Sequence, residues 1–394
     1  MKILFFISVL KHGNGGHLYS LLHISNIISK KHDVGVISIG PGDSRNICNN
    51  PHHIVHIDFN GLNLLKLKST IDKTIKDFQP DIFHYFDVAS YNVIAPLYPR
   101  WATKTVLNKC GGPNPKKENE FPHVHNLVLF SLENQIWFES NSNYRNTVTT
   151  LIPNRVAKIN TDDKSTDINK PQDAFTFVKI ARIGQTYKSS ILDSINLLDI
   201  LYKRNSKLRI KLFIIGVVED NEVLEDIILN EHVKNGNVVI LTEDKYTYNA
   251  SKMLFLADAT ISTGRGVMEA ASLGLPVLTI NSQSHIPVLL TQDTFEQAFK
   301  TNFSGRNIFP SLDNNENLSN IENLITNSRF YENISAYMNI VFDKYFNIEK
   351  ALDKYENLYN SICNDNKKKF QFSPMRTILT LRTFYKKSMV NKNN

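Results

Sequence analysis

Short runs of apolar residues alternate along the chain with stretches where apolar positions recur every third or fourth residue. "KILFFISVL" (2–10) has the composition of a buried strand. After "GNGGH" the helical spacing of Leu18, Leu21, Leu22 and Ile28 takes over, and "HDVGVISIG" (32–40) returns to strand. Further strands are predicted at "QPDIFHYF", "KTVLNKCGG" and "NLVLFSL", with a helix over "NLLKLKSTIDKTIKDF". "KINTDDKSTDINKPQD" (158–173) lacks large apolar side chains and reads as a linker or surface loop. The alternation then restarts with "AFTFVKIARIG", "KLRIKLFIIG", "NVVILT", "DATIST" and "PVLTI" as strands between helices, and residues 317–362 read as helical. Strand–helix alternation with glycines at the first turn describes parallel sheets layered by helices. The expected fold class is α/β, with a Rossmann-like domain over 1–160 and a second over 170–345. A closing helix (346–365) and a basic amphipathic tail (366–394) follow.

Whole-chain quantities narrow the classes. At 394 residues with 42% hydrophobic and 21% charged residues, the composition is that of a globular protein with ample core. Three dispersed cysteines, Cys48, Cys110 and Cys363, form no CxxC and argue against a disulfide framework or zinc site, placing the chain in a reducing compartment. No apolar stretch approaches the ~18–20 residues that span a bilayer. From Asn366 onward there are eight Lys and Arg and no acid; +7 minus those eight leaves −1 for the body. A nucleic-acid binder would carry basic stripes on its folded body, so nucleic acid is excluded as a partner.

The candidate chemistry lies at predicted strand ends. In "TGRGVMEAASLGLPV" (263–277), Gly264 and Gly266 let backbone approach a ligand, and amides around Gly266 to Met268 would be donors for a diphosphate. Glu269 is suited to accept from sugar hydroxyls. A capped helix with an acidic first turn explains the same residues equally well. In "KIARIGQTYKS", Arg182 and Lys188 follow a strand end, as phosphate-binding cations or as ordinary surface charges. "KHGNGGHLYS" (11–20) is neither a Walker motif nor a dinucleotide fingerprint, since Leu18 stands where a third glycine is needed. Gly15 and Gly16, with His12 or His17, could still meet a phosphate or sugar. The histidines of "HHIVH" alternate as on an edge strand rather than as metal ligands.

Taken in order, these pieces resemble GT-B glycosyltransferases, most closely the retaining, nucleotide-sugar-dependent family 4. "GNGGHLYSLLHISNIISKKHDV", "QPDIFHYF", "TLIPNRV", "ARIGQTYKS", "KLFIIG" and "TGRGVMEAASLGLPV" resemble that family's motifs across about residues 1 to 280. The resemblance implies two Rossmann-like domains facing across a cleft. It implies that Arg182 and Lys188 hold the donor diphosphate and assist its departure, and that Glu269 binds the donor ribose. The Gly264, Arg265, Gly266 and Val267 loop would meet the sugar or phosphates, and Gly15 and Gly16 the diphosphate from the first domain. It further implies metal-independent transfer, without cofactor, from a UDP-sugar to a glycan or lipid-linked saccharide acceptor on the cytoplasmic side of the cell membrane.

Two departures mark this chain. Ile261 stands where the family pattern has a first glutamate, with Arg265 as a substitute near the sugar. Cys110 and Gly111 stand where many members have a histidine. A non-catalytic sugar-nucleotide or glycan-binding subunit of a polysaccharide-synthesis complex is therefore the alternative. In the tail, Met375, Ile378, Leu379 and Arg382 would share one face of a helix after Pro374. Apolar bodies beside cations suit an anionic membrane surface.

Overall fold

The computed structural model describes residues 1–10, 15–117, 120–161, 167–363 and 373–392. The chain forms two compact units. One comprises Met1–Arg155 together with Ile348–Asn394, the other Val156–Asn347. The sequence division into consecutive segments differs here, because the closing helix and tail belong to the first unit.

In the first unit seven strands form one sheet: β1 (Lys2–Ser8), β2 (Asp33–Ile39), β3 (His53–Ile57), β4 (Ile82–Tyr85), β5 (Thr105–Lys109), β6 (Asn126–Leu129) and β7 (Val148–Leu151). All are parallel, in the order β3-β2-β1-β4-β5-β6-β7. Successive side chains of a strand point to opposite faces. Ile3, Phe5 and Ile7 accordingly enter one core and Leu4 and Phe6 the other, and burial on both faces is why β1 reads as a continuous apolar run. Helices α1 (Gly16–Ile28), α2 (Leu64–Phe78), α3 (Val88–Ile94) and α4 (Leu132–Ser140) belong to this unit. The histidines of "HHIVH" lie at and beside edge strand β3, where His53 and His56 both bond the Ser38 hydroxyl.

The second unit has six strands: β8 (Phe175–Ile180), β9 (Ile210–Ile215), β10 (Val238–Leu241), β11 (Ala259–Ile261), β12 (Val277–Asn281) and β13 (Ser284–Leu289). The order is β10-β9-β8-β11-β12-β13, with only β13 antiparallel. Helices α5 (Gln185–Arg204), α6 (Asn221–Ile228) and α7 (Arg265–Ala271) follow β8, β9 and β11. Each sheet is a doubly wound arrangement whose order reverses once, between β1 and β4 and between β8 and β11. Such reversal points leave a ligand crevice beyond the carboxyl ends of the strands.

The chain returns to the first unit through α8 (Leu352–Cys363) and α9 (Pro374–Lys392). Tyr355, Leu358, Tyr359 and Ile362 of α8 enter the core beside Ile3, Phe5 and Ile7. A buried polar chain fixes the docking. His84 Nδ1 lies 2.8 Å from the Tyr359 hydroxyl and Nε2 lies 2.9 Å from Asn108 Oδ1, while the ring stacks on Phe5 at 4.6 Å. Helix α9 buries Phe384 against Phe59. The neighbouring Gly61 has φ +87, and a Cβ there would come within 2.3 Å of the Leu381 carbonyl oxygen. Among the described residues no helix is long and apolar enough to cross a membrane.

Burial lowers the His84 pKa from 6.5 to about 4, because the imidazolium would lose its hydration. The folded state therefore binds fewer protons than the unfolded one. The contribution of this group to stability is complete above about pH 6.5 and is lost as pH falls toward 4, about 3 kcal/mol in all. Urea unfolding between pH 7 and 4 should show this loss, and His84→Gln should remove that part of the pH dependence.

Candidate functional site

In the first unit the reversal point is held by one carboxylate. Asp87, at the start of α3, accepts from the Ser8 amide at the end of β1 (2.6 Å) and from the Ser90 amide (2.7 Å). Beside it lies a cavity of about 440 Å³ whose wall includes His17, Phe86, Asn108, Cys110 and Asn114. The loop over it is tethered from below. The ammonium of buried Lys109 donates to the carbonyls of Gly111 (2.6 Å) and Pro113 (3.1 Å), and Asn134 of α4 donates to Asn114 Oδ1 (2.8 Å). His17 keeps exposed surface, yet the surrounding protein is dense enough to hold its pKa below 6.5. Lost hydration is the main cause and outweighs the opposing Asp87 charge and Ser8 backbone contact. Burial raises the Cys110 thiol far above its ordinary range, and its Sγ donates to the Phe86 carbonyl at 3.3 Å. A thiol so held is no nucleophile.

Gly15 and Gly16 stand at the start of α1. A Cβ on Gly15 would meet the His17 ring at 2.9 Å, whereas Gly16 has open space around it. Gly13 and His12 lie outside the described residues.

In the second unit Arg182 follows β8, and its guanidinium donates to Glu219 Oε1 (2.7 Å) and the Tyr187 hydroxyl (3.1 Å) while lying 5.1 Å from that ring's centre. Lys188, on α5, bonds Asp226 Oδ2 at 2.5 Å. Both pairs are solvent-accessible, Arg182 with 51% of its side chain exposed. Glu219 and Asp226 come from the loop and helix after β9, so both cations are held toward the β9 side of β8. No local spacing pointed to these partners, which lie 37 and 38 residues away.

On the other side of β8, the chain after β11 turns at Gly264 with φ +51 and ψ −122, a region open to glycine. The expected free amides are a point of correction. The N–H of Gly264 bonds the Phe303 carbonyl, that of Gly266 the Thr263 carbonyl and that of Val267 the Gly264 carbonyl. The first turn of α7 is thus wound tightly enough to use donors that the sequence pattern left for a diphosphate. Arg265 is paired within the same helix. Its Nε donates to Glu269 Oε1 at 2.7 Å, one turn along the helix and with both side chains largely buried. The arginine thus fixes the position of the Glu269 carboxylate.

Residues 2–118 match a family model described as "Glycosyl transferase 4-like". No curated protein sequence matches the chain. Solved structures of similar fold include a glycosyltransferase from Rickettsia africae ESF-5, at 15% identity and TM-score 0.63, covering 93% of this chain and 99% of that one. Anabaena Alr3699/HepE in complex with UDP-glucose matches at 16% identity and TM-score 0.61, covering 92% and 100%. Sucrose-phosphate synthase from Thermosynechococcus elongatus matches at 11% and 0.60, covering 92% and 98%. The fold is GT-B, and residues 2–118 resemble the glycosyl transferase 4-like family. Together these likenesses support a glycosyltransferase.

Within this GT-B chain the two departures have physical explanations. Ile261 ends β11 and is buried among the apolar residues of the second unit, so nothing polar projects from that position. Cys110 faces the cavity of the first unit with its thiol engaged.

Two outcomes follow from this geometry. Gly264→Ala forces an L side chain into a glycine-only conformation and should cost about 1–3 kcal/mol in urea unfolding. Lys109→Met removes the ammonium that donates to the carbonyls of Gly111 and Pro113, and should speed tryptic cleavage at Lys116–Lys117 in limited proteolysis.

Proposed function

We propose that this protein transfers a sugar from a UDP-linked donor to a glycan being built on a lipid carrier at the cytoplasmic face of the cell membrane, with retention and without a metal. One observation carries the reading. Arg182, Gly264 and Glu269 come from the two strand ends flanking the reversal point of the second sheet, where a doubly wound sheet takes its ligand. The UDP-glucose in the Anabaena structure and the family match of residues 2–118 support the donor class.

The charges suit the task. An exposed ion pair such as Arg182–Glu219 contributes about 0–1 kcal/mol, whereas hydrogen bonds to a charged group contribute about 1.5–3 kcal/mol. Arg182 therefore exchanges Glu219 for a diphosphate at little cost, and Lys188 does the same with Asp226. Two cations on the departing diphosphate supply charge stabilisation of the kind a metal gives elsewhere. Glu269, held by Arg265, accepts from the ribose hydroxyls. In the transfer, the sugar's bond to the diphosphate oxygen breaks, its bond to the acceptor oxygen forms, and the acceptor proton leaves with UDP. The cavity beside His17 and Asp87 is the acceptor candidate. Retention is read from the anomer of the product by NMR.

The second reading, a non-catalytic sugar-nucleotide binder, draws on Ile261, whose burial leaves that position without a carboxylate. Hydrolysis or transfer of the donor by purified protein separates the two. Thermal shift across nucleotide sugars tests the donor site directly. A true donor at about 100 times its Kd should add roughly 2.7 kcal/mol, and Arg182→Ala should remove most of that gain. An absence of any shift in the wild type overturns the donor site. Chelation with EDTA should leave turnover unchanged.

A further inference from the structure

Helix α9 is packed the wrong way round for a helix whose only task is to cover its own domain. Its inward face is rich in hydroxyls and amides. Thr377 donates to the Asn92 carbonyl (2.8 Å), Thr380 accepts from Asn92 Nδ2 (3.2 Å), and Asn391 donates to the Pro41 carbonyl (3.1 Å), with Phe384 the one fully buried apolar side chain. The outward face carries Met375, Ile378, Leu379, Met389 and Val390, with Leu379 and Val390 each 52% exposed. A surface helix ordinarily turns its apolar stripe toward the core.

Two cations, Arg382 and Lys386, sit exposed between the two apolar clusters, and Ser373–Lys392 contains no acidic residue. A second element lies against the helix. Gly61 meets Leu381 and Tyr385 of α9, and the residues that follow it, Leu62 and Leu65, are 69% and 87% exposed. Scattered exposed leucines need no explanation, but apolar side chains gathered from two elements and rimmed by cations mark an interaction surface.

We infer that the outward face of α9, with Leu62 and Leu65, docks this protein in the plane of an anionic lipid bilayer. Charge decides among occupants. A second copy of the same face would set Arg382 and Lys386 against like charges, which an acidic headgroup layer instead neutralises. The apolar side chains enter the headgroup–acyl boundary while the cations stay at the phosphates, the arrangement of an interfacial helix. This deepens the proposed function, resting on it only for why a membrane should be approached, since the contact itself follows from α9.

Co-sedimentation of the full chain with vesicles of equimolar phosphatidylcholine and phosphatidylglycerol, and with phosphatidylcholine alone, tests the inference. Binding should require phosphatidylglycerol and weaken with salt. Arg382→Gln with Lys386→Gln should weaken it by about 30-fold, from two cations near an anionic surface. Ile378→Ser with Leu379→Ser should weaken it about tenfold or more by removing apolar area. Equal binding to both vesicles, no binding, or unchanged binding of either variant overturns it. So does a dimer in light scattering that Ile378→Ser with Leu379→Ser disperses. The nucleotide-sugar thermal shift should persist in both variants, so that failure of this surface and failure of the donor site are read separately.

Discussion

A parallel sheet whose strand order reverses sends its connecting helices to opposite faces, and the gap at the reversal cannot be closed by the chain that creates it. The structure depends on this constraint twice. In the first unit the gap is braced by the Asp87 carboxylate, which takes amides from the ends of two lines of the fold, Ser8 and Ser90. In the second, the carboxylate that links β8 and β11 is Asp258, which takes the Thr176 amide at their opposite, amino ends. The loop after β8 is instead tied to the β9 side through Arg182 and Glu219, and the loop after β11 is wound upon itself at Gly264. The first site is thus an open pocket beside a braced strand end and the second a pair of separately tied loops.

Charged side chains follow the same division. Lys109 is buried and donates to carbonyl oxygens of its own loop, where removal would take a donor from Gly111 and Pro113. Arg182 and Lys188 are accessible and paired with carboxylates that water can replace. The first cation serves shape, and the other two are free to change partner.

Much of the architecture was legible because burial on both faces of a parallel sheet writes uninterrupted apolar runs, as in β1 and β9. The shared outward face of Met375, Ile378, Leu379 and Arg382 was also visible, since helical spacing alone sets it. What was not legible depends on distant contacts or local winding. Glu219 and Asp226 lie in another connection of the sheet, so no spacing rule links them to Arg182 and Lys188. The amides of Gly266 and Val267 looked available because a sequence does not reveal that the first turn will tighten. Antiparallel β13 was missed because "SHIPVL" is short and interrupted by Pro287. The return of α8 to the first unit rests on His84 and Tyr359, 275 positions apart.

That separation bears on how the molecule is made. The ribosome releases Val156–Asn347 as an unbroken stretch, so this unit has all its strands before synthesis ends. The sheet around β1 and β4, though translated earlier, must wait with His84 and one flank of its core uncovered until Tyr355 and Tyr359 emerge. The half of the protein that is begun first is therefore the half that is finished last.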